Sequence, residues 1–245
     1  MNEQIPKEKR FCNGIHYEIR INKKPLLVIP CQLGLNNTFF KRFKYLDNFS
    51  TLLIEPKNHG KSVCGDLSIA EYAKEIYEII KIENVEKYYI VGLCFNTAAV
   101  LHYCMEYKPD RCILINPILG TNLRKGKLYR KIIPVAVYLL NKFGTYFSNK
   151  KNYDDFSTID HHYLISQLYK IHKNGSLRSF LKLMDEILNY RPRWDAIETK
   201  FVIYINKNDK LYCDNLEFPS ESSIIKGISH TPSKEEIMRL AKNVI

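Results

Sequence analysis

The residue of this chain whose type and place best suit it to covalent chemistry is Cys94, in the run Gly92-Leu93-Cys94-Phe95-Asn96. A β-branched and aromatic segment, Lys87-Tyr88-Tyr89-Ile90-Val91-Gly92, leads into it, and a helical pattern from about Thr97 to Tyr107 leads out. The cysteine therefore occupies a single tight turn between a strand and a helix. A thiolate forms at lower pH than an alkoxide, especially beside an imidazolium, and it exchanges readily with thioesters. Such a group suits transacylation, or carrier-bound acyl thioesters, better than attack on an unactivated amide. Taken alone, the run also fits a buried cysteine that only packs a strand-to-helix turn. Asp160-His161-His162 invites a metal-site reading, but adjacent side chains do not share a helix face and no other ligand cluster stands out. Those histidines read as solvated or packing residues, and no metal or cofactor is expected.

The elements that must position Cys94 alternate strand and helix. Asn13-Gly14 is a hairpin turn, because both residues tolerate positive φ, and it joins Arg10-Phe11-Cys12 to the run Ile15 to Ile21. Pro25 to Pro30 and Thr51 to Glu55 read as buried strands, and Leu67 to Ile82 has helical apolar spacing with Ser68 as its cap. Arg111 to Asn116 is a further buried strand, closed by Pro117. Continuous apolar strands alternating with helices argue an α/β fold, a mostly parallel central sheet flanked by helices. From 120 to 199 the pattern is helical and aromatic, without strands of the earlier type, which predicts an inserted helical cap between core segments 1–119 and 200–245. Strand character returns at Lys200 to Asn206 and at Ser223-Ile224-Ile225, and Ser233 opens a last helix with a capping box to Glu236.

Bulk composition bounds the alternatives. The chain has 245 residues, 45% of them hydrophobic, enough for one sizeable core. Its longest apolar stretch, Ile132 to Leu140, is too short to span a bilayer and contains Pro134, so no stable membrane insertion is expected. Met1 to Lys9 is polar and lacks the apolar core of a signal peptide, which predicts a cytoplasmic protein. Seven cysteines, an odd number with no CxxC pair, agree with a reducing compartment. The net charge of +11 is spread along the chain with no basic arm or zinc spacing, so nucleic acid is not the expected partner. A basic surface also favours an anionic substrate or an acidic acyl carrier protein.

In their order, these segments resemble the α/β-hydrolase superfamily over nearly the whole chain except the cap. Gly92 to Asn96 looks like its Gly-x-nucleophile-x-Gly elbow, with a cysteine as nucleophile and Asn96 in place of the second glycine. Ile29-Pro30-Cys31-Gln32-Leu33-Gly34 is similar to the His-Gly-x-x-Gly loop after the third strand, with Pro30 for His and Cys31 for Gly. Glu55-Pro56-Lys57-Asn58-His59-Gly60-Lys61-Ser62 resembles the Asp-x-x-Gly-His-Gly-x-Ser segment, with Asn58 for the first glycine, and His59 and Ser62 are expected to hold that turn. The resemblance then implies Asp209, in the short loop after Asn206, as the acid, and His230, in Gly227-Ile228-Ser229-His230, as the base. It also implies the backbone N–H groups of Phe95 and Gln32 as the oxyanion hole.

The activity so implied is acyl transfer through a Cys94 acyl-thioester intermediate, by a thioesterase or acyltransferase on carrier- or CoA-linked acyl groups. Two other readings stay open on the sequence: a small ester or lactone hydrolase with the same triad, and a noncatalytic binding protein of this fold. The departures at Pro30-Cys31, Asn58 and Asn96 feed the last of these.

Overall fold

A computed structural model describes residues 8–22, 26–31, 49–119, 177–206, 218 and 222–227. Its first feature follows from a dipeptide. Asn13 and Gly14 take φ of 49° and 78°, the left-handed pair that a two-residue hairpin requires, and they join β1 (Glu8–Cys12) to β2 (Ile15–Arg20). The remaining strands are β3 (Leu26–Pro30), β4 (Ser50–Ile54), β5 (Tyr88–Leu93), β6 (Arg111–Ile115), β7 (Lys200–Asn206) and β8 (Ser223–Gly227). They form one eight-stranded sheet in the order β1-β2-β4-β3-β5-β6-β7-β8. The pairs β1/β2 and β2/β4 are antiparallel and all others are parallel.

The parallel strands read as continuous apolar runs because both of their faces are covered. Alternate residues face opposite ways. Val28, Leu52, Ile54, Ile90, Cys112, Leu114 and Ile203 join one apolar cluster with helices α1 (Ile69–Ile82), α2 (Thr97–Glu106) and α3 (Leu177–Asn189). Ile29, Leu53, Val91, Leu93, Ile113, Ile115, Val202 and Tyr204 join a second cluster, which also contains Cys31 and Cys94.

Local chemistry sets the ends of α1. Ser68 accepts the Glu71 N–H while the Glu71 carboxylate accepts the Ser68 N–H, a reciprocal capping box. At the other end Asn84 takes φ of 51° and its N–H bonds to the Lys81 carbonyl, which stops the helix. Two longer-range bonds also serve the start of α1. Ser179 Oγ accepts the Leu67 N–H at 3.0 Å, and Glu186 Oε2 accepts the Ile69 N–H at 2.9 Å. A carboxylate at a helix N-terminus is favourable both as a cap and against the helix dipole. Helix α3 thus lies against α1, with Leu183, Met184 and Ile187 in the main core. Residues 120–176 of the expected cap lie outside the described residues, as does the expected helix opened by Ser233.

The chain order reverses beside β3, with β4 on one flank and β5 on the other. Open α/β sheets bind ligands outside the carboxyl ends of their strands at such a reversal. The carboxyl end of β5 is Leu93, followed directly by Cys94.

Gly92 lets β5 pass close to its neighbours. A Cβ there would stand 2.9 Å from Leu114 Cδ2 and 3.4 Å from Val100 Cβ. Gly92→Ala would add a methyl to a filled core, at about 1–3 kcal/mol, against a gain of about 0.5–1 kcal/mol from removing glycine from a strand. A net loss of about 1 kcal/mol is expected as a lower urea midpoint; an unchanged or raised midpoint would show that Leu114 gives way freely.

Candidate active site

Cys94 has a φ of 53°. An L-residue other than asparagine, aspartate or glycine seldom enters that region, at a cost of about 1–2 kcal/mol. The conformation persists because both sides of the turn are already fixed. β5 is paired with β3 and β6, and Ala98, Ala99, Val100 and Leu101 of α2 are buried in the core. The Cys94 carbonyl accepts the Thr97 N–H, closing the turn, and also the Ile118 N–H at 3.2 Å from the segment after β6. Strained backbone held by its surroundings clusters at functional sites. The N–H of Phe95 lies in the first helical turn, where backbone donors lack intrahelical acceptors.

Asn96 is 2% exposed and makes two hydrogen bonds that join separate strands. Its Oδ1 accepts the Leu93 N–H at 2.5 Å, and its Nδ2 donates to the Pro30 carbonyl at the end of β3. The next residue, Cys31, is pinned from the other side. Its N–H donates to the Ile54 carbonyl at 2.7 Å, and its own carbonyl accepts the Tyr72 hydroxyl at 2.9 Å. Cys31, like Cys94, is buried, and burial pushes its thiol well above the usual cysteine range.

The turn after β4 is organised around one carboxylate. Glu55 Oε2 accepts the Lys61 N–H at 2.8 Å and lies 2.7 Å from His16 Nδ1. Gly60, at φ of 54°, presses on it so closely that a Cβ would stand 2.1 Å from Glu55 Oε2. Ser62 Oγ donates to the Glu55 carbonyl at 2.7 Å and accepts the His16 N–H at 2.8 Å. Asn58 takes φ of 68°, the region a glycine would enter, and both ends of its side chain bond to the backbone of Gly65. His59 is buried, with Nδ1 2.9 Å from the Lys57 carbonyl; a carbonyl only accepts, so Nδ1 carries the proton. His59 and Ser62 therefore hold this turn, as expected from their place in the sequence.

The structure places Cys94 and Phe95 together at the carboxyl end of β5. Gln32, Asp209 and His230 lie outside the described residues. Sequence reasoning missed the roles of Tyr72 and Asn96. Tyr72 stands on the buried face of an amphipathic helix and carries no local signal of a distant partner. Asn96 was visible only as a departure from glycine. Among the described residues no three His, Cys, Asp or Glu side chains gather as a metal site, and no helix is long and apolar enough to cross a membrane. The described cysteines, Cys12, Cys31, Cys64, Cys94, Cys104 and Cys112, are all free thiols.

No protein-family model matches the chain, and no curated protein matches its sequence. Solved structures do match over almost its whole length. An esterase from Exiguobacterium antarcticum is similar with a TM-score of 0.65 at 16% identity, covering 95% of this chain and 95% of that one. The carboxylesterase CesB from Bacillus subtilis gives 0.64 at 13% identity, covering 98% and 90%. Est816, described as an N-acyl homoserine lactone degrading enzyme, gives 0.66 at 12% identity, covering 97% and 100%. At such identities the likeness concerns the fold. The chain has the α/β-hydrolase fold, a mostly parallel central sheet with flanking helices.

Burial lowers the pKa of His59 below its ordinary value, partly offset by the bond to Lys57. The folded protein therefore takes up this proton less readily than the unfolded chain. Its contribution to stability is complete above about pH 6.5 and is lost as pH falls through the lowered folded value. His59→Asn keeps an N–H donor for Lys57 but does not titrate. Its unfolding free energy is expected to fall less steeply than wild type between about pH 7 and pH 5; equal slopes in urea titrations would contradict this.

Proposed function

We propose that this protein is an acyl-transfer enzyme working through a thioester on Cys94, a thioesterase or acyltransferase for carrier- or CoA-linked acyl groups. The observation that carries the reading is the left-handed Cys94 at the head of α2, at the reversal point of the sheet. The neighbours described as esterases and as a lactone-degrading enzyme support hydrolysis of acyl compounds on this fold. The net charge of +11 favours an acidic carrier protein as the acyl donor. Of residues 120–199, read as a cap, the part before α3 would then bound the acyl-chain site, since α3 packs in the main core.

In this reading His230 takes the proton of the Cys94 thiol, and Asp209 holds the imidazole tautomer and stabilises the imidazolium. The thiolate adds to the acyl carbonyl. Its oxygen, now negative, is held by the N–H groups of Phe95 and Gln32, each such donor being worth ~100-fold or more in rate. Collapse breaks the bond to the departing thiolate or alkoxide, which takes the proton from His230. Water or another acceptor then gives a proton to His230 and adds to the Cys94 thioester. Cys94 leaves as a thiolate and is reprotonated by His230.

Intact-protein mass spectrometry after incubation with acyl thioesters, simple esters and acyl lactones tests this. The wild type is expected to gain an acyl mass mapped to Cys94, most visibly in a His230→Ala background. Cys94→Ala is expected to show no adduct and turnover reduced by roughly 1000-fold or more. Adducts from thioesters above esters support the carrier-linked reading, and the reverse supports the ester or lactone hydrolase. No adduct and no turnover with any donor, while a thiol probe still labels Cys94, would make this a binding protein of the same fold.

A further inference from the structure

A backbone oxyanion hole is built from two pieces of chain that meet across the sheet. One is the elbow, with the N–H of Phe95. The other is the segment leaving β3, which begins at Pro30 and Cys31. The distance between them is not set by β-pairing alone, since the ladder between β3 and β5 runs from Leu26 and Tyr88 to Val28 and Ile90. Beyond that register Asn96 ties the two strand ends: it accepts from Leu93 and donates to Pro30, 66 residues away.

The partners fix which way round the amide stands. The Leu93 group at hand is its N–H, which must meet Oδ1; Pro30 offers only a carbonyl, so it must meet Nδ2. A carboxylate of the same shape would keep the first bond and set two oxygens against each other in the second. Glycine or alanine would lose both and leave the Pro30 carbonyl and the Leu93 N–H to find other partners in a buried site. Asparagine is thus the side chain of this length that serves both backbone groups at once. Its own φ of −79° shows that it is not there for left-handed backbone, unlike Asn58.

We propose that Asn96 is a positioning residue: it holds the end of β3, at Pro30, at a set distance from the elbow, and so fixes where the elbow presents the Phe95 N–H, the donor expected to receive the oxyanion. The inference rests on the Cys94 acyl-transfer reading above. Tyr72, whose hydroxyl holds the Cys31 carbonyl, braces the same strand end from the α1 side.

The test separates oxyanion chemistry from simple thiol reactivity. Alkylation of Cys94 by iodoacetamide needs the thiolate but generates no oxyanion, whereas acyl transfer needs both. Asn96→Ala and Asn96→Asp are compared with wild type for steady-state acyl transfer and for the alkylation rate of Cys94. The expected result is kcat lowered about 10- to 100-fold, as for a displaced donor, with KM and the alkylation rate within about 3-fold of wild type. Should Asn96→Ala fail to fold, Asn96→Asp carries the test: it keeps the volume and the acceptor and replaces the donor to Pro30 by an oxygen, and because it also brings a negative charge near Cys94, turnover and alkylation are compared as limiting rates at high pH. Unchanged kcat overturns the inference, and so does a parallel fall in turnover and alkylation, which would mark a merely structural role. Wild-type protein with no Cys94-dependent turnover overturns the reading underneath, and this inference with it.

Discussion

A cysteine at φ of 53° between a parallel strand and a helix has to be held there from outside, because its own backbone preference opposes it. Nearly every long-range contact near the site serves that constraint. β5 is locked between β3 and β6, small residues bring the start of α2 close to the sheet, and Ile118 returns from β6 to bind the Cys94 carbonyl. Gly92 sits two residues earlier in β5, where Leu114 and Val100 crowd the place of a side chain. The strain at one residue is therefore distributed over three strands and a helix. That is how a turn unfavourable by itself becomes a rigid part of the molecule.

The departures from glycine that raised doubt about catalysis have two different physical explanations. Asn58 is a conformational substitute: it occupies left-handed backbone that asparagine tolerates, and it adds two bonds to Gly65. Asn96 is not a substitute for flexibility, since its backbone is ordinary; it fills the space with an amide that binds the chain on both sides. At Pro30-Cys31 the chain forgoes one N–H and spends both remaining carbonyls on Asn96 and Tyr72. At Asn58 and Asn96 lost glycine is met by new side-chain hydrogen bonding in a buried place, where an unmet polar group would be costly.

The turn after β4 shows the same economy of buried charge. Glu55 is buried, yet its carboxylate and carbonyl receive Lys61, Ser62 and the edge of His16, and Gly60 lies flat against it. Burial of a carboxylate is tolerable only with such partners. They tie β2, the antiparallel strand, to the turn that follows β4, so the hairpin opened by Asn13-Gly14 is part of the same framework as the site.

The sequence by itself determined the local pieces. The Asn13-Gly14 turn, the capping box of α1, the continuous apolar strands and the strand-turn-helix around Cys94 all follow from spacing and residue type, because each depends on neighbours within a few positions. Even the order of motifs was enough to anticipate the fold. Only the tertiary structure decided what meets across the chain. That Glu186 caps α1, that Tyr72 reaches Cys31, and that Asn96 binds Pro30 depend on which faces come together. Periodicity records that a face is buried but not what it is buried against. The left-handed φ of Cys94 belongs to this second group: no residue preference calls for it, and it exists only because packed elements on both sides leave the chain no other path.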